Sequence, residues 1–183
     1  MAITMKDVRA WLDPEEPNYA GAAQSLGPAA LPFLLELVRG GDLGLASKAT
    51  YLASLIKSER SVEVIEAAAA TNEPILRVQA AAGLQNLKPA HAERVLNTLK
   101  SDPDPGVRKV MVKSAARVKS PRVAAVLKQI ARSDPAPFVR EATARPLATP
   151  KKSAPARARK VAKKAAPGKA RKKTAKAKKP KKK

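Results

Sequence analysis

Apolar residues recur along the first 150 residues with the period of α-helices rather than that of strands. Several segments carry them at positions i, i+3, i+4 and i+7, a spacing that places them on one face of a helix. These sets are Leu31, Leu34, Leu35 and Val38; Ala92, Val95, Leu96 and Leu99; Val123, Val126, Leu127 and Ile130; and a weaker one of Ser61, Val64, Ile65 and Ala68. The pattern predicts an all-α fold.

A second helical segment follows each of these sets after a short turn. The stretches TNEPILRVQAAAGL, SDPDPGVRKVMVKSA and SDPAPFVREATARPL share a turn, a proline, an apolar residue and an arginine. The arginines are Arg77, Arg108 and Arg140, and the same template places Lys48 and Tyr19 in phase. Apolar residues lie four and seven positions after each: Ala23 and Leu26, Leu52 and Leu55, Ala81 and Leu84, Val112 and Ala115, Ala144 and Leu147. Five repeated helical hairpins are therefore predicted.

The turns between the paired helices begin with residues that can cap a backbone amide. The prolines that follow fit the first turn of a helix but not its interior. Pro146 should accordingly end the last helix near Arg145 and leave Leu147 outside it. A single hairpin cannot bury both of its apolar stripes, so the units must stack into an α-solenoid. The turn residues are Asp13, Asp42, Thr71, Asp102 and Asp134, and Ser120-Pro121 starts the last unit's first helix.

The pattern D-P-x-P-x-V-R before an Ala-rich helix resembles the HEAT-repeat family and the related lyase-type HEAT-like repeats. The resemblance covers residues 4–147 and is strongest in the last three units, because Asn18-Tyr19 and Ser47-Lys48 replace the apolar-Arg pair in the first two. It implies an α-solenoid of about five HEAT-like hairpins over residues 1–148, with the second helices on a concave surface. It also implies that the solenoid binds a protein partner.

The sequence changes character at Thr149. The chain has 37 Lys and Arg against 15 Asp and Glu, and residues 151–183 hold 17 of the basic residues and no acid. Val161 is the only large apolar residue there, so burial cannot offset the roughly 1–2 kcal/mol per residue lost on ordering a backbone. Residues 149–183 are predicted to be a disordered basic tail. Residues 1–88 hold 8 basic and 10 acidic residues and residues 89–150 hold 12 and 5, so positive charge rises toward the tail.

The tail resembles the C-terminal tails of linker histones and the Lys/Ala/Pro-rich extensions of some bacterial nucleoid proteins. That resemblance implies nonspecific binding of nucleic acid, above all DNA, driven by counterion release. Without aromatic residues or an ordered arginine pair, the tail has no means of reading bases. The predicted contacts are Lys151, Lys152, Arg157, Arg159, Lys160, Lys163, Lys164, Lys169, Arg171, Lys172, Lys173, Lys176, Lys178, Lys179, Lys181, Lys182 and Lys183.

The folded part offers one extension of this surface. Lys109, Lys113 and Arg117 lie at i, i+4 and i+8 on the fourth unit's second helix and would form one exposed stripe. Such a stripe is either a path for a phosphate backbone or an ordinary solvated face. The recurring Arg77, Arg108 and Arg140 are better explained by a structural bond to the turn Asp or carbonyls of the same or an adjacent unit.

Catalysis finds little support in the sequence. There is no cysteine, and His91 is the single histidine, whereas HEAT-family metal hydroxylases use repeated His-Glu pairs. HEAT-like DNA glycosylases use a concave Trp and Asp, but Trp11 is expected to cap the N-terminal end of the core. The other aromatics are also at core-like positions: Tyr19, Phe33, Tyr51 and Phe138. Neither a metal site, a cofactor site nor a nucleotide-binding loop is predicted.

These observations favour a non-enzymatic scaffold that binds DNA or RNA through its tail and a protein partner through its solenoid. The alternative is a protein-interaction or assembly module whose tail binds acidic partners or aids solubility, and a HEAT-like DNA glycosylase is a remote third. No secretory or membrane-spanning segment is evident. The expected location is the cytoplasm, in association with the nucleoid, or the nucleus in a eukaryote.

Overall fold

The computed structural model describes residues 2–147, with side chains described for residues 2–144. These residues form ten α-helices and no strand, which confirms the all-α prediction. None of these helices is both long enough and apolar enough to cross a membrane. The helices are α1 (Met5–Leu12), α2 (Tyr19–Leu26), α3 (Leu31–Arg39), α4 (Leu43–Leu55), α5 (Ser61–Ala69), α6 (Pro74–Gly83), α7 (Pro89–Leu99), α8 (Pro105–Ala115), α9 (Pro121–Ser133) and α10 (Pro137–Leu147).

The helices pair into five hairpins that stack in two layers. The odd-numbered helices, which come first in each unit, pack on one another in chain order from α1 to α9. The even-numbered helices form the second layer in the same way, from α2 to α10, and each also packs against the first helix of its own unit. Contacts between consecutive units are what define an α-solenoid. The predicted architecture of five stacked hairpins is therefore confirmed.

Proline and polar caps fix where the helices begin. Five helices start with proline at their first residue, where the missing N–H costs no hydrogen bond: α6, α7, α8, α9 and α10. Elsewhere a side chain caps the first turn: the Asp42 carboxylate accepts from the Leu45 amide at 3.0 Å, and Asn18 accepts from Gly21 at 3.0 Å. Thr4 and Asp7 form a reciprocal capping box at α1. Local sequence thus sets the period of the repeat.

The predicted apolar stripes form one continuous core. The sets on α3, α7 and α9 are buried except for Leu35 and Val126, which are half-buried against it. The weaker set on α5 is wholly buried, and its polar member, Ser61, is satisfied by donating to the Ile56 carbonyl at 2.6 Å. On the second helices Ala23 and Leu55 are only half-buried. Trp11 packs half-buried against the core in the first unit, as predicted.

Three predictions about the last unit are wrong. α10 continues through Pro146 to Leu147, because a proline this near a helix end disrupts only the final turn. Ala144 is exposed, although its counterparts Ala81 and Val112 are buried in helices that have a neighbouring second helix on both sides. Phe138 is 43% exposed rather than in the core. The exposure of Ala144 has a plain cause, since among the described residues no further unit covers α10. Phe138 occupies the same repeat position as Ile75, which is 46% exposed in the middle of the array, so its exposure belongs to that position and not to the end of the stack.

Candidate nucleic-acid interface

Arg77 and Arg108 join consecutive units through the same set of bonds. The Nε and Nη2 atoms of Arg77 donate to the carboxylate of Asp102 at 2.7 and 3.3 Å, and those of Arg108 donate to Asp134 at 2.8 and 3.0 Å. In both cases the carboxylate belongs to the turn of the following unit. The Nη1 atoms donate to a carbonyl of the arginine's own turn, that of Thr71 at 3.1 Å and that of Asp102 at 2.6 Å. The structural interpretation of these arginines is confirmed.

The ion pair between Arg108 and Asp134 is almost fully removed from water. Their side chains are 8% and 3% exposed. Burial opposes the charge of Asp134, but hydrogen bonds from Arg108 and from the Ala136 amide outweigh it and hold the pKa of this carboxyl below its ordinary value. The hydrogen bond to Asp134 in turn raises the pKa of the Arg108 guanidinium. Both groups are therefore committed to the fold and are not available to a ligand.

Arg140 and Lys48 depart from this arrangement in different ways. Arg140 donates from Nη1 to the carbonyls of Asp134 at 2.5 Å and Pro135 at 3.3 Å, as the other two arginines do to their own turns. It meets no carboxylate among the described residues. Lys48 instead reaches back to the preceding unit, where its Nζ donates to the carbonyls of Leu12 at 2.9 Å and Pro14 at 2.8 Å. The first two units are thus packed together without an arginine–aspartate pair, and the Lys48 bonds between them go to carbonyls.

The basic stripe predicted on the fourth unit's second helix is only partly present. Lys113 is exposed on α8. Lys109 is half-buried, with its Nζ 5.4 Å from the centroid of the Phe138 ring, which is within the range of a cation–π contact. Arg117 lies beyond α8, which ends at Ala115, and its Nη1 donates to Gln85 at 2.5 Å. α8 therefore presents two of the three cations, and their role in binding remains a prediction.

A second basic stripe, on α9, was missed by the sequence reasoning. Arg122, Lys128 and Arg132 are all exposed on this first-layer helix. Arg122 approaches Glu93 at 3.5 Å, while Lys128 and Arg132 lie one helical turn apart and line an open pocket on the surface of α9. The signal was available in the sequence, because α9 has no acidic residue in its 13 positions. Apolar spacing alone does not reveal it, because that spacing describes only the buried face of α9.

The segment from α8 to α10 is basic as a whole. Residues 105–144 hold nine Lys and Arg and only two acidic residues, Asp134 and Glu141. Asp134 is already paired with Arg108, so Glu141 is the one exposed carboxylate that opposes the surface cations of this segment. Opposite charges do pair across the boundary between the third and fourth units, as in Lys88–Glu59 and Arg94–Glu66. The surplus of positive charge therefore begins within the folded part of the chain.

The predicted tail contacts, from Lys151 to Lys183, lie outside the described residues, as does the predicted domain boundary at residue 148. Their binding role stays a prediction from the sequence. The structure shows where the described part of the chain ends before these residues. The last described helix, α10, ends at Leu147 and belongs to the basic segment that begins at α8.

His91 lies in a groove of about 570 Å³ between the loop before α5 and the start of α7. Its Nε2 is 3.2 Å from the Glu59 carboxylate, and Lys88 pairs with the same carboxylate. Ser61 also lines the groove, and its hydroxyl donates to the Ile56 carbonyl at 2.6 Å. Among the described residues no group of three potential ligands is placed to hold a metal ion.

Comparison with known proteins agrees with this geometry. Residues 63–148 match the family model for HEAT repeats. The matched span begins within α5 and covers the three units that contain Arg77, Arg108 and Arg140, the last two of which begin their turns with aspartate. No curated protein matches the chain in sequence. The HEAT-type units before residue 63 are therefore recognised from the stacking of their helices and not from a sequence match.

A solved structure has the same fold. It is a chain in the complex of CpcE and CpcF of phycocyanin lyase from Nostoc sp. PCC7120, with a TM-score of 0.60 and 22% identity. The similarity covers 78% of this chain and 97% of that chain. At this identity the comparison establishes a shared HEAT-type solenoid fold. The solenoid is thus compatible with a protein-interaction scaffold.

Proposed function

We propose that this protein is a non-enzymatic HEAT-type scaffold that binds DNA nonspecifically through its basic C-terminal part and binds a protein partner through its solenoid. One observation carries the proposal. Residues 105–183 contain 27 Lys and Arg and two acidic residues, and one of those acids, Asp134, is used internally by Arg108. A segment so rich in cations has a strong electrostatic preference for a polyanion.

Two features of the described units support a phosphate backbone as the ligand. The exposed cations lie on helices, so the α9 stripe of Arg122, Lys128 and Arg132 has a fixed spacing that a disordered segment lacks. A lysine and two separate arginines can neutralise phosphates, and no pair of them is arranged as a reader of base edges. The tail lysines would add affinity of the same kind. The expected complex is sequence-independent and sensitive to salt, and its location is the DNA-containing part of the cell.

The proposed protein partner rests on the fold. HEAT-type solenoids expose long faces to other chains, and the solved structure with the same fold comes from a protein complex. Trp11 is packed against the core of the first unit, which does not favour the remote alternative of a glycosylase site built on an accessible Trp.

The test is the binding of a labelled DNA duplex at several salt concentrations by the full chain and by a chain ending at Ala148. The full chain should show a steep fall of log affinity with log salt, by about 0.9 for each phosphate neutralised, and the shortened chain a much shallower one. Replacing Lys128 and Arg132 by Glu in the full chain should reduce the slope by about 2. Equal binding by the full and shortened chains would show that the tail is not the anchor.

Matched controls separate local contacts from net charge. Lys6→Glu with Lys57→Glu changes the charge by the same amount at exposed positions of the first two units. This pair should leave the slope nearly unchanged if the interface is C-terminal. Failure of both the full and the shortened chain to bind DNA would refute the nucleic-acid proposal. Affinity purification after nuclease treatment would then show whether acidic protein partners take the place of DNA, as in the alternative assembly role.

A further inference from the structure

Consecutive units of this solenoid are joined by a bond with two halves. One half is the guanidinium of an arginine, here called the fork, and the other is the turn aspartate of the following unit. In the fork, Nε and Nη2 face the following unit while Nη1 is held by a carbonyl of the arginine's own turn. Arg77 and Arg108 have both halves in place. Arg140 has the same Nη1 bond, to the carbonyl of Asp134, so its side chain is held like the other two. It donates from Nε or Nη2 to no described residue.

No side chain of the printed sequence after Glu141 can complete the Arg140 fork. Residues 142–183 contain no Asp or Glu. Asp134 already accepts both fork atoms of Arg108, and Glu141 is the neighbour of Arg140 on α10 rather than a residue of a following turn. An arginine fork in a fixed position has the geometry for bidentate recognition of a carboxylate. Among the described residues none places a carboxylate against this fork, which leaves it open to a carboxylate of another chain.

The first unit carries the other half of the bond. Asp13-Pro14 repeats the dipeptide of Asp102-Pro103 and Asp134-Pro135, whose aspartates are the two that arginine forks bind. Asp13 also begins the first unit's turn, in phase with them. It is exposed, and its carboxylate makes no hydrogen bond or ion pair with a described residue. Within the described part of the chain, an aspartate without a partner thus lies at one end of the array and an arginine fork without a carboxylate at the other.

We infer that two copies of this chain associate head to tail, with the Arg140 fork of one copy binding the Asp13 carboxylate of the other. Charge is complementary, since residues 1–88 hold 8 basic and 10 acidic residues whereas residues 105–144 hold nine and two. The exposed Ala144 marks a face of α10 that its counterparts bury against a neighbouring unit. The inter-unit contact of the solenoid would continue across the molecular boundary.

Such a contact uses different surfaces on the two copies. It is heterologous, so it produces an open chain of molecules unless the rotation between copies closes a ring. One ion pair at a partly exposed site binds weakly, so association should depend on protein concentration. The inference is independent of the proposed function, because the contact is made by the folded units and requires no nucleic acid.

The experiment uses sedimentation velocity on the full chain, freed of nucleic acid, over a range of concentrations. The unsubstituted chain should rise in mass with concentration to at least twice the monomer. Asp13→Asn and Arg140→Gln should each remain monomeric. Mixed together, they should form a 1:1 dimer and nothing larger, because only one complementary pair of ends remains. Arg140→Lys keeps the charge but lacks the fork, and it should also lose association. This second variant ensures that a folding defect in Arg140→Gln does not decide the result.

Matched controls are Glu15→Gln, which removes a neighbouring exposed acid, and Arg132→Gln, which removes an exposed cation of the last unit. Both should associate like the unsubstituted chain. The inference is overturned if the unsubstituted chain is monomeric throughout, if Asp13→Asn associates normally, or if the mixture of Asp13→Asn and Arg140→Gln stays monomeric. DNA binding by Asp13→Asn should be unchanged at low protein concentration, which separates this test from that of the proposed function.

Discussion

The buried pair of Arg108 and Asp134 shows why a few charged residues can be essential to a solenoid. Each side chain would be costly to bury alone, and the pair is stable because every charged atom is hydrogen-bonded. Lysine could not replace the arginine, since only a planar fork contacts both carboxylate oxygens and leaves a third nitrogen for the carbonyl of Asp102. The same side chain therefore closes its own turn and holds the next unit.

Replacing Arg108 by Ala should lower the free energy of unfolding by about 3–5 kcal/mol, because Asp134 is left charged and buried without its partner. Urea denaturation followed by circular dichroism measures the change. The control is Arg117→Ala, which removes an exposed arginine bonded only to Gln85 and should cost less than about 0.5 kcal/mol. Equal losses in the two variants would contradict the structural role of Arg108.

The pH dependence of the same variant gives a second check. The pKa of Asp134 is lowered in the folded state, so this carboxyl stabilises the fold above its unfolded pKa of about 4 and loses that contribution as the pH falls through the folded pKa. In Arg108→Ala the carboxyl has lost that stabilisation. The difference in stability between the two proteins should therefore shrink from neutral pH toward pH 3, and a constant difference would argue against the pair.

At the scale of the elements, small residues control how closely helices approach. Gly83 ends α6 with an ordinary helical backbone, so it is not required for a special φ. A Cβ at this position would lie 2.7 Å from the Ser54 Cβ on α4. Both residues are buried between adjacent second helices. Glycine is needed here because the two helices touch.

Gly83→Ala should destabilise the protein by about 1–3 kcal/mol, since the added methyl group overpacks a closed contact. Thermal or urea unfolding measures the loss. Combining it with Ser54→Gly should recover part of the stability, because that change removes the atom in conflict. Gly41→Ala is the control, as no atom lies within 4 Å of its added Cβ, and it should be close to neutral. A neutral Gly83→Ala would show that α4 and α6 can separate at no cost.

The whole molecule is a one-dimensional array in which each unit contacts only its neighbours. Its stability is the sum of terms within units and between adjacent units, and the outer units have one neighbour instead of two. The first unit is also joined to the second through Lys48 and two carbonyls rather than through a buried ion pair. Local opening should therefore start at the ends of the array.

Hydrogen exchange followed by mass spectrometry tests this gradient. Amides of α1 and α2 should exchange faster than those of α5 and α6, because opening the first unit breaks one inter-unit contact and opening a central unit breaks two. The comparison is made at a protein concentration where the chain is monomeric. Uniform protection across all five units would mean that the described array unfolds as a single cooperative unit.

The sequence by itself determined the number of units, the helix starts and most of the core. These features depend on local rules, namely apolar periodicity, proline at first positions and caps such as Asp42, which act within a few residues. The recurring arginines were also recognised as structural, because a ligand site does not need one copy in every unit. The excess of basic residues is visible in the composition. The α9 stripe of Arg122, Lys128 and Arg132 is not among the sites predicted from the sequence.

Only the tertiary structure decided which neighbour each residue has. It showed that Arg77 and Arg108 bind the aspartate of the following unit, that Arg140 and Asp13 have no such partner among the described residues, and that Ala144 is exposed. Burial and pairing across units depend on which helices stack, and a residue at the end of the array has the same local sequence as one in the middle. Periodicity predicts the residues of each repeat. Only the stacking of the units shows which of those residues lack a partner because their unit has one neighbour instead of two.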